Sequence, residues 1–164
     1  MTSARTAGEI VELLELQRHP EGGFYRETWI GPMAGGRASG TSIYYLLTES
    51  ESSRWHRIDA TEIWHHYAGA ALVLSTWTDG RAVEQWVLGR DLASGDRPQL
   101  VVPPDEWQSA RSLGPWTLVG CTVSPGFEFD RFELAPRDWR PPSRAPLRTA
   151  RASSGRVVAR RAPG

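Results

Sequence analysis

The hydrophobic pattern of the chain is helical once, briefly, and then turns to β. Thr6-Ala7-Gly8-Glu9 has the form of a capping box, and Ile10, Leu13 and Leu14 recur at helical spacing beside Glu9, Glu12 and Glu15. The glycines of His19-Pro20-Glu21-Gly22-Gly23 break that pattern, and residues 24–29 then alternate as a strand does. A glycine-rich loop at 31–40 leads into 41–47, whose aromatic and β-branched content suits a second strand. Further strand-like segments fall at 53–58, 62–68, 71–78, 82–88, 98–103, 107–112, 116–123 and 127–134. Their links carry turn chemistry, as in Thr78-Asp79-Gly80, Ser94-Gly95-Asp96 and Ser124-Pro125-Gly126. Many short strands at nearly regular spacing predict an all-β sandwich or barrel preceded by one short helix. A βαβ alternation is missing, and GGRASG lacks both the lysine and the following helix of a phosphate loop.

Composition narrows the chemistry. The 164 residues suffice for one domain with its own core, expected over 1–140. All 19 basic residues are arginines, which excludes a Schiff-base lysine and a phosphate-loop lysine. Cys121 is the sole cysteine and sits in the apolar run Leu118–Val123, so intrachain disulfides are impossible and a buried, inert thiol is expected. No apolar run reaches the roughly 20 residues of a membrane span, and the N-terminus lacks the order of a secretion signal, so the expected location is cytoplasmic. The net charge of zero hides an asymmetry: residues 141–164 hold six arginines and no acid, leaving thirteen arginines against nineteen acids before them. This basic, Pro/Ala/Ser/Gly-rich segment reads as a flexible tail, expected to fold back on the acidic body before it; contact with nucleic acid is not expected except through this tail, which could also touch an acidic partner.

The densest cluster of titratable groups runs from His56 to Tyr67. A histidine and a glutamate on adjoining strands can serve proton transfer or bind a divalent metal. On a regular strand Glu62, Trp64 and His66 share one face while Ile63, His65 and Tyr67 share the other, so only one of the paired histidines accompanies Glu62, and a bulge at the pair would exchange them. Eight tryptophans exceed what packing alone asks of a barrel this size, which leaves some of them to wall a pocket.

The order of His56, Glu62 and Gly69 resembles the first cupin motif, with Ile58 where a second histidine would stand. Pro103-Pro104-Asp105-Glu106-Trp107-Gln108 resembles the second motif, with Asp105 in the place of a glycine and Gln108 in that of a histidine. Over roughly residues 12–140 the chain resembles cupin family 5. The blocks that carry this are Pro20-Glu21-Gly22-Gly23 with Tyr25-Arg26-Glu27-Thr28, Ile43–Leu47, His56-Arg57, Glu62–His65, Pro98-Gln99 with Val102-Pro103, and Val119–Phe127. The resemblance implies a cupin double-stranded β-helix, a jelly-roll barrel similar to plant seed-storage barrels and to dTDP-sugar epimerases, with a ligand cavity and a homodimeric assembly.

On that basis the leading expectation is a small-molecule isomerase or epimerase acting on sugar or carboxylate carbonyl compounds. His56 or His66 would be the base, Glu62 its partner, and Tyr44 or Tyr45 the acid. Arg26 would hold an anionic group of the ligand through its guanidinium fork, with Tyr45, Trp64, Gln108 and Phe127 as further pocket residues. Two alternatives stand beside it: a metal-dependent cupin enzyme holding iron, zinc, manganese or nickel through His56, Glu62 and Gln108, or a protein that encloses a small molecule without transforming it. Glu21 and Glu27 read as partners of Arg26 or as turn caps, and His19, before a proline, is assigned no catalytic role.

Overall fold

A computed structural model describes residues 5–142. The expected helix is present as α1 (Ala7–Leu13), with both halves of its capping box made: Glu9 N–H donates to Thr6 Oγ1, and Thr6 N–H to the Glu9 carboxylate. The strands are β1 (Gln17–Arg18), β2 (Phe24–Ile30), β3 (Met33–Ala34), β4 (Arg37–Ala38), β5 (Thr41–Thr48), β6 (Ser52–Ile58), β7 (Thr61–Gly69), β8 (Leu72–Trp77), β9 (Glu84–Leu88), β10 (Gln99–Val102), β11 (Trp107–Ser112), β12 (Trp116–Ser124) and β13 (Phe132–Leu134). They form a six-stranded sheet, β1-β2-β5-β12-β7-β10, and a five-stranded sheet, β13-β6-β11-β8-β9, with every strand pair antiparallel. The small pair β3-β4 stands apart.

Alternation along the strands builds the interior. Tyr45, Leu47, Trp64, Leu72, Leu74, Leu88, Val102, Ala110, Val119 and Cys121 form the central core. Each large side chain buried in this way contributes about 1.5–3 kcal/mol. On β5 the intervening residues Tyr44 and Leu46 face outward, where Leu46 is sealed by Ile10 of α1 and by Leu16. That is the task of the single helix: it covers an apolar patch that the six-stranded sheet turns away from the core.

Two loops differ from expectation. Within 31–40, Gly35 and Gly36 take φ of 63° and 87° and close a two-residue hairpin between β3 and β4, the turn that Gly-Gly favours because both central residues need positive φ. Within 127–134, only Phe132–Leu134 is strand; Phe129–Arg131 coils into a 3-10 turn. At the second motif, Asp105 itself adopts φ of 63°, and its N–H donates to Ile58 O at 2.7 Å. Aspartate tolerates this left-handed conformation better than most residues, so the turn survives without the glycine.

The segment expected as a basic tail lies, from residue 143 onward, outside the described residues. Among the described residues no helix is long and apolar enough to cross a membrane.

Candidate active site

A cavity of about 220 Å³ opens at one end of the barrel. His56 reaches it from β6 of one sheet and Glu62 from β7 of the other, on either side of the tight turn at 59–60. From β2 and β5 come Tyr25, Glu27, Ile43 and Tyr45, and from β12 come Cys121 and Val123. His19 and Glu21 enter from the loop between β1 and β2, and Phe127, Phe129 and Phe132 form an aromatic wall.

The mouth is tied together by charge. Arg37 grips Asp59 with its two terminal guanidinium nitrogens, at 3.1 and 2.9 Å, and donates to Gly126 O through Nε. Arg131 bonds Asp59 and Glu128. The turn that separates His56 from Glu62 is thereby fastened to the segment carrying the phenylalanines.

The two cavity histidines have opposite polarity. Glu21 N–H donates to His19 Nδ1 at 3.2 Å; a backbone amide can only donate, so Nδ1 is the acceptor and the proton of neutral His19 sits on Nε2. His56 Nδ1 lies 2.8 Å from Arg54 O, which can only accept, so here Nδ1 carries the proton and Nε2 keeps its lone pair. Neither Nε2 is both sealed from solvent and without a partner, and both rings line the cavity. Burial holds both imidazoles below the ordinary histidine range, against the nearby carboxylates Glu21, for His19, and Glu62, for His56.

The carboxyls are displaced the other way. Burial pushes Glu62 up, partly offset by His56 and reinforced by Glu21. It pushes Glu21 up as well, against His19 and the hydroxyl of Ser53. Glu21 lies 3.3 Å from His56 Nδ1 and accepts from Ser53 Oγ at 2.9 Å. Glu62 accepts from Gln108 Nε2 at 2.6 Å, and Gln108 Oε1 in turn accepts from Trp64 Nε1 at 2.8 Å. Because an indole N–H can only donate, this relay fixes which end of the Gln108 amide meets Glu62.

Of the residues expected in the site, His56, Glu62, Tyr45 and Phe127 line the cavity. Tyr45 is not an available acid: its hydroxyl donates to Gly22 O at 2.6 Å, and burial, followed by the charge of Glu21, raises it well above the ordinary tyrosine range. Tyr44 faces outward beside Tyr67, because β5 alternates and Tyr45 takes the inner position. Arg26, next to Tyr25 on β2, faces outward for the same reason; it pairs with Glu15 at 2.9 Å rather than with Glu21 or Glu27. Trp64 belongs to the core and Gln108 stands behind Glu62. His66 shares the Glu62 side of β7, but lies beyond the buried Trp64. Its Nε2 donates to Ala70 O at 3.0 Å, and its Nδ1 is buried without a partner. The bulge in β7 falls at Tyr67, after the histidine pair, so His65 stays on the outer face near Thr122.

His19 and Glu21, expected from the sequence to have no catalytic role and to pair with Arg26 or cap a turn respectively, both line the cavity instead. They enter the cavity because Gly22 and Gly23, with φ of 119° and 73°, turn the chain tightly against Ser52 and Leu46. The signal was there in Glu21, held between Pro20 and two glycines, with His19 just before the proline.

The metal alternative meets a poor donor set. Ile58 lines the cavity as hydrocarbon, both ends of the Gln108 amide are engaged, and among the described residues no three His, Cys, Asp or Glu side chains converge on one point.

A two-sheet antiparallel barrel with such a cavity at one end defines a cupin. More narrowly, the chain belongs to the family described as Cupin superfamily (DUF985), whose model matches residues 8–135. Among solved structures it is similar to protein SO0799 from Shewanella oneidensis, with 39% identity and a TM-score of 0.77 over 80% of this chain and 85% of that one. It is also similar to a hypothetical protein from Leishmania major, with 27% identity and a TM-score of 0.74 over 80% and 88%. Oxalate decarboxylase from Bacillus subtilis shares the fold at 13% identity and a TM-score of 0.57, this chain covering 29% of it. Among curated proteins none matches this chain.

Proposed function

We propose that the protein is an isomerase-type enzyme that moves a proton next to the carbonyl of a small molecule. The observation that carries this reading is the pair of cavity imidazoles with opposite polarity: His56 offers a lone pair, His19 an N–H. In this reading the carbonyl oxygen accepts from His19 Nε2–H, a neutral imidazole being able to polarise a carbonyl when burial keeps it uncharged. His56 Nε2 removes the neighbouring C–H proton, and the positive charge it gains is stabilised by Glu21 on its Nδ1 side and by Glu62 across the cavity. Return of the proton from His56 to the former carbonyl carbon on the same face, as His19 Nε2 passes the proton of the adjacent hydroxyl to the former carbonyl oxygen, completes isomerisation. A tyrosine acid is not needed.

Size restricts the substrate. A 220 Å³ cavity falls below the roughly 300–1,000 Å³ of sites for drug-sized ligands, so a compound much smaller than a nucleotide sugar is enclosed.

The test is exchange of solvent deuterium into a panel of small aldehydes and ketones, followed by NMR. The expected result is exchange by the native chain, with a loss of about 10²–10⁴-fold in His56→Ala. A substrate whose exchange is unchanged in a folded His56→Ala protein would overturn the assignment.

A further inference from the structure

The cavity wall is unbalanced in charge. Among the described residues Glu21, Glu27 and Glu62 line it and no arginine does; the chain has no lysine to supply. Arg37 and Arg131 at the mouth are committed to Asp59 and Glu128, and Arg26 is turned outward to Glu15. Arg54 bears on Glu21 from outside the cavity, its guanidinium bonded to Pro20 O, so among the described residues lining the cavity only the two histidines can bear positive charge. His19 cannot take up a second proton without losing its bond from the Glu21 amide.

Glu21 and Glu62 are 6% and 7% exposed, so their charges are held away from water. A buried carboxylate without a counter-charge is costly, and either a proton or a positive occupant relieves the cost. The same cavity is lined by Phe127, Phe129 and Phe132, their centroids 4.9–6.2 Å apart and their planes steeply inclined, and by Tyr25. Such rings pack against the carbon part of a ligand and attract an ammonium group over their faces. Inside the same space His56, 2% exposed, bonds only through Nδ1 and leaves Nε2 without a partner among the described residues.

We infer that the natural ligand is a small organic cation, a protonated amine with a compact apolar body, whose ammonium is held by Glu21 and Glu62 while its carbon skeleton rests on Phe127, Phe129 and Phe132. The inference rests on the proton-transfer reading only in naming the compound turned over, which becomes an amino-carbonyl compound. It runs against the expectation of an anionic ligand held by Arg26.

The experiment uses the full chain with EDTA present and two matched sets of probes: benzylamine, benzyl alcohol and benzoate, then pentylamine, pentanol and pentanoate. Affinities are read by calorimetry or ligand-observed NMR. In each set the ammonium is expected to bind at least about tenfold more tightly than the alcohol, and the carboxylate not at all. Glu21→Gln/Glu62→Gln is expected to reduce the preference to less than about threefold, with Glu27→Gln at the rim as the milder variant should the double one not fold. Carboxylates binding as well as amines, no binding by any probe at millimolar concentration, or a preference that survives removal of these acids would each overturn the inference.

Binding is read without turnover, so the two readings fail separately. A clear ammonium preference with no deuterium exchange in any carbonyl compound would retire proton transfer alone. Exchange without that preference would retire the cation alone.

Discussion

Backbone groups, rather than other side chains, set the polarity of the two cavity imidazoles, while burial makes the site sensitive to pH in two opposed ways. His56 has an ordinary value of 6.5 and is held lower by burial. As pH falls below 6.5 the unfolded chain gains this proton before the folded one does, so the contribution of His56 to stability is lost on acidification. Glu62 has an ordinary value of 4.5 and is held higher. Above 4.5 the unfolded chain gives up this proton before the folded one does, so the Glu62 contribution declines as pH rises through its folded value. Glu62→Gln keeps an oxygen for Gln108 Nε2 and removes the ionisation. Its melting temperature, measured beside the native protein from pH 5 to pH 8, is expected to gain on the native value as pH rises, by roughly 2–4 °C per kcal/mol of relieved cost. A constant difference across that range would mean that Glu62 does not carry the buried charge.

At the scale of elements, most of what positions the site was legible in the order of polar and apolar residues. Alternation placed Glu62 and Trp64 on one side of β7, and the same rule separates Tyr45 from Tyr44 once it is known that α1 covers Leu46. The contribution of the β1–β2 loop was not legible, because two positive-φ glycines bring His19 and Glu21 over the barrel end and alternation says nothing about such a turn. Nor could spacing show that Gln108, in a ligand's place, is consumed by Trp64 and Glu62; that depends on a cross-barrel bond. The end of β7 offers a test of how tightly these elements are set. Gly69 has φ of 83°, and a Cβ there would lie 2.5 Å from Trp116 O. Gly69→Ala should therefore cost at least about 2 kcal/mol, a loss of roughly 4–8 °C in melting temperature by scanning calorimetry. A loss under a degree would show that the β7–β8 corner can yield.

Across the whole molecule the two sheets are finished differently. The six-stranded sheet is covered outside by α1, whereas the five-stranded sheet is covered by the C-terminal strap, where Trp139 sits among Trp55, Trp77 and Trp107 with centroids 4.5–6.1 Å away. Most of the eight tryptophans thus serve packing, with Trp64 inside and this group outside, and none lines the cavity. What the barrel does hold inside is its single thiol. Cys121 borders the cavity beside Glu62, and burial, reinforced by Glu62 and Glu21, keeps it a thiol. A small alkylating reagent has one target in this chain and must pass the phenylalanines to reach it. Its rate of attachment, followed by mass spectrometry, is therefore a gauge of vacancy: slow in the free protein, slower still when a guest fills the hollow, and indifferent to compounds that only touch the outside.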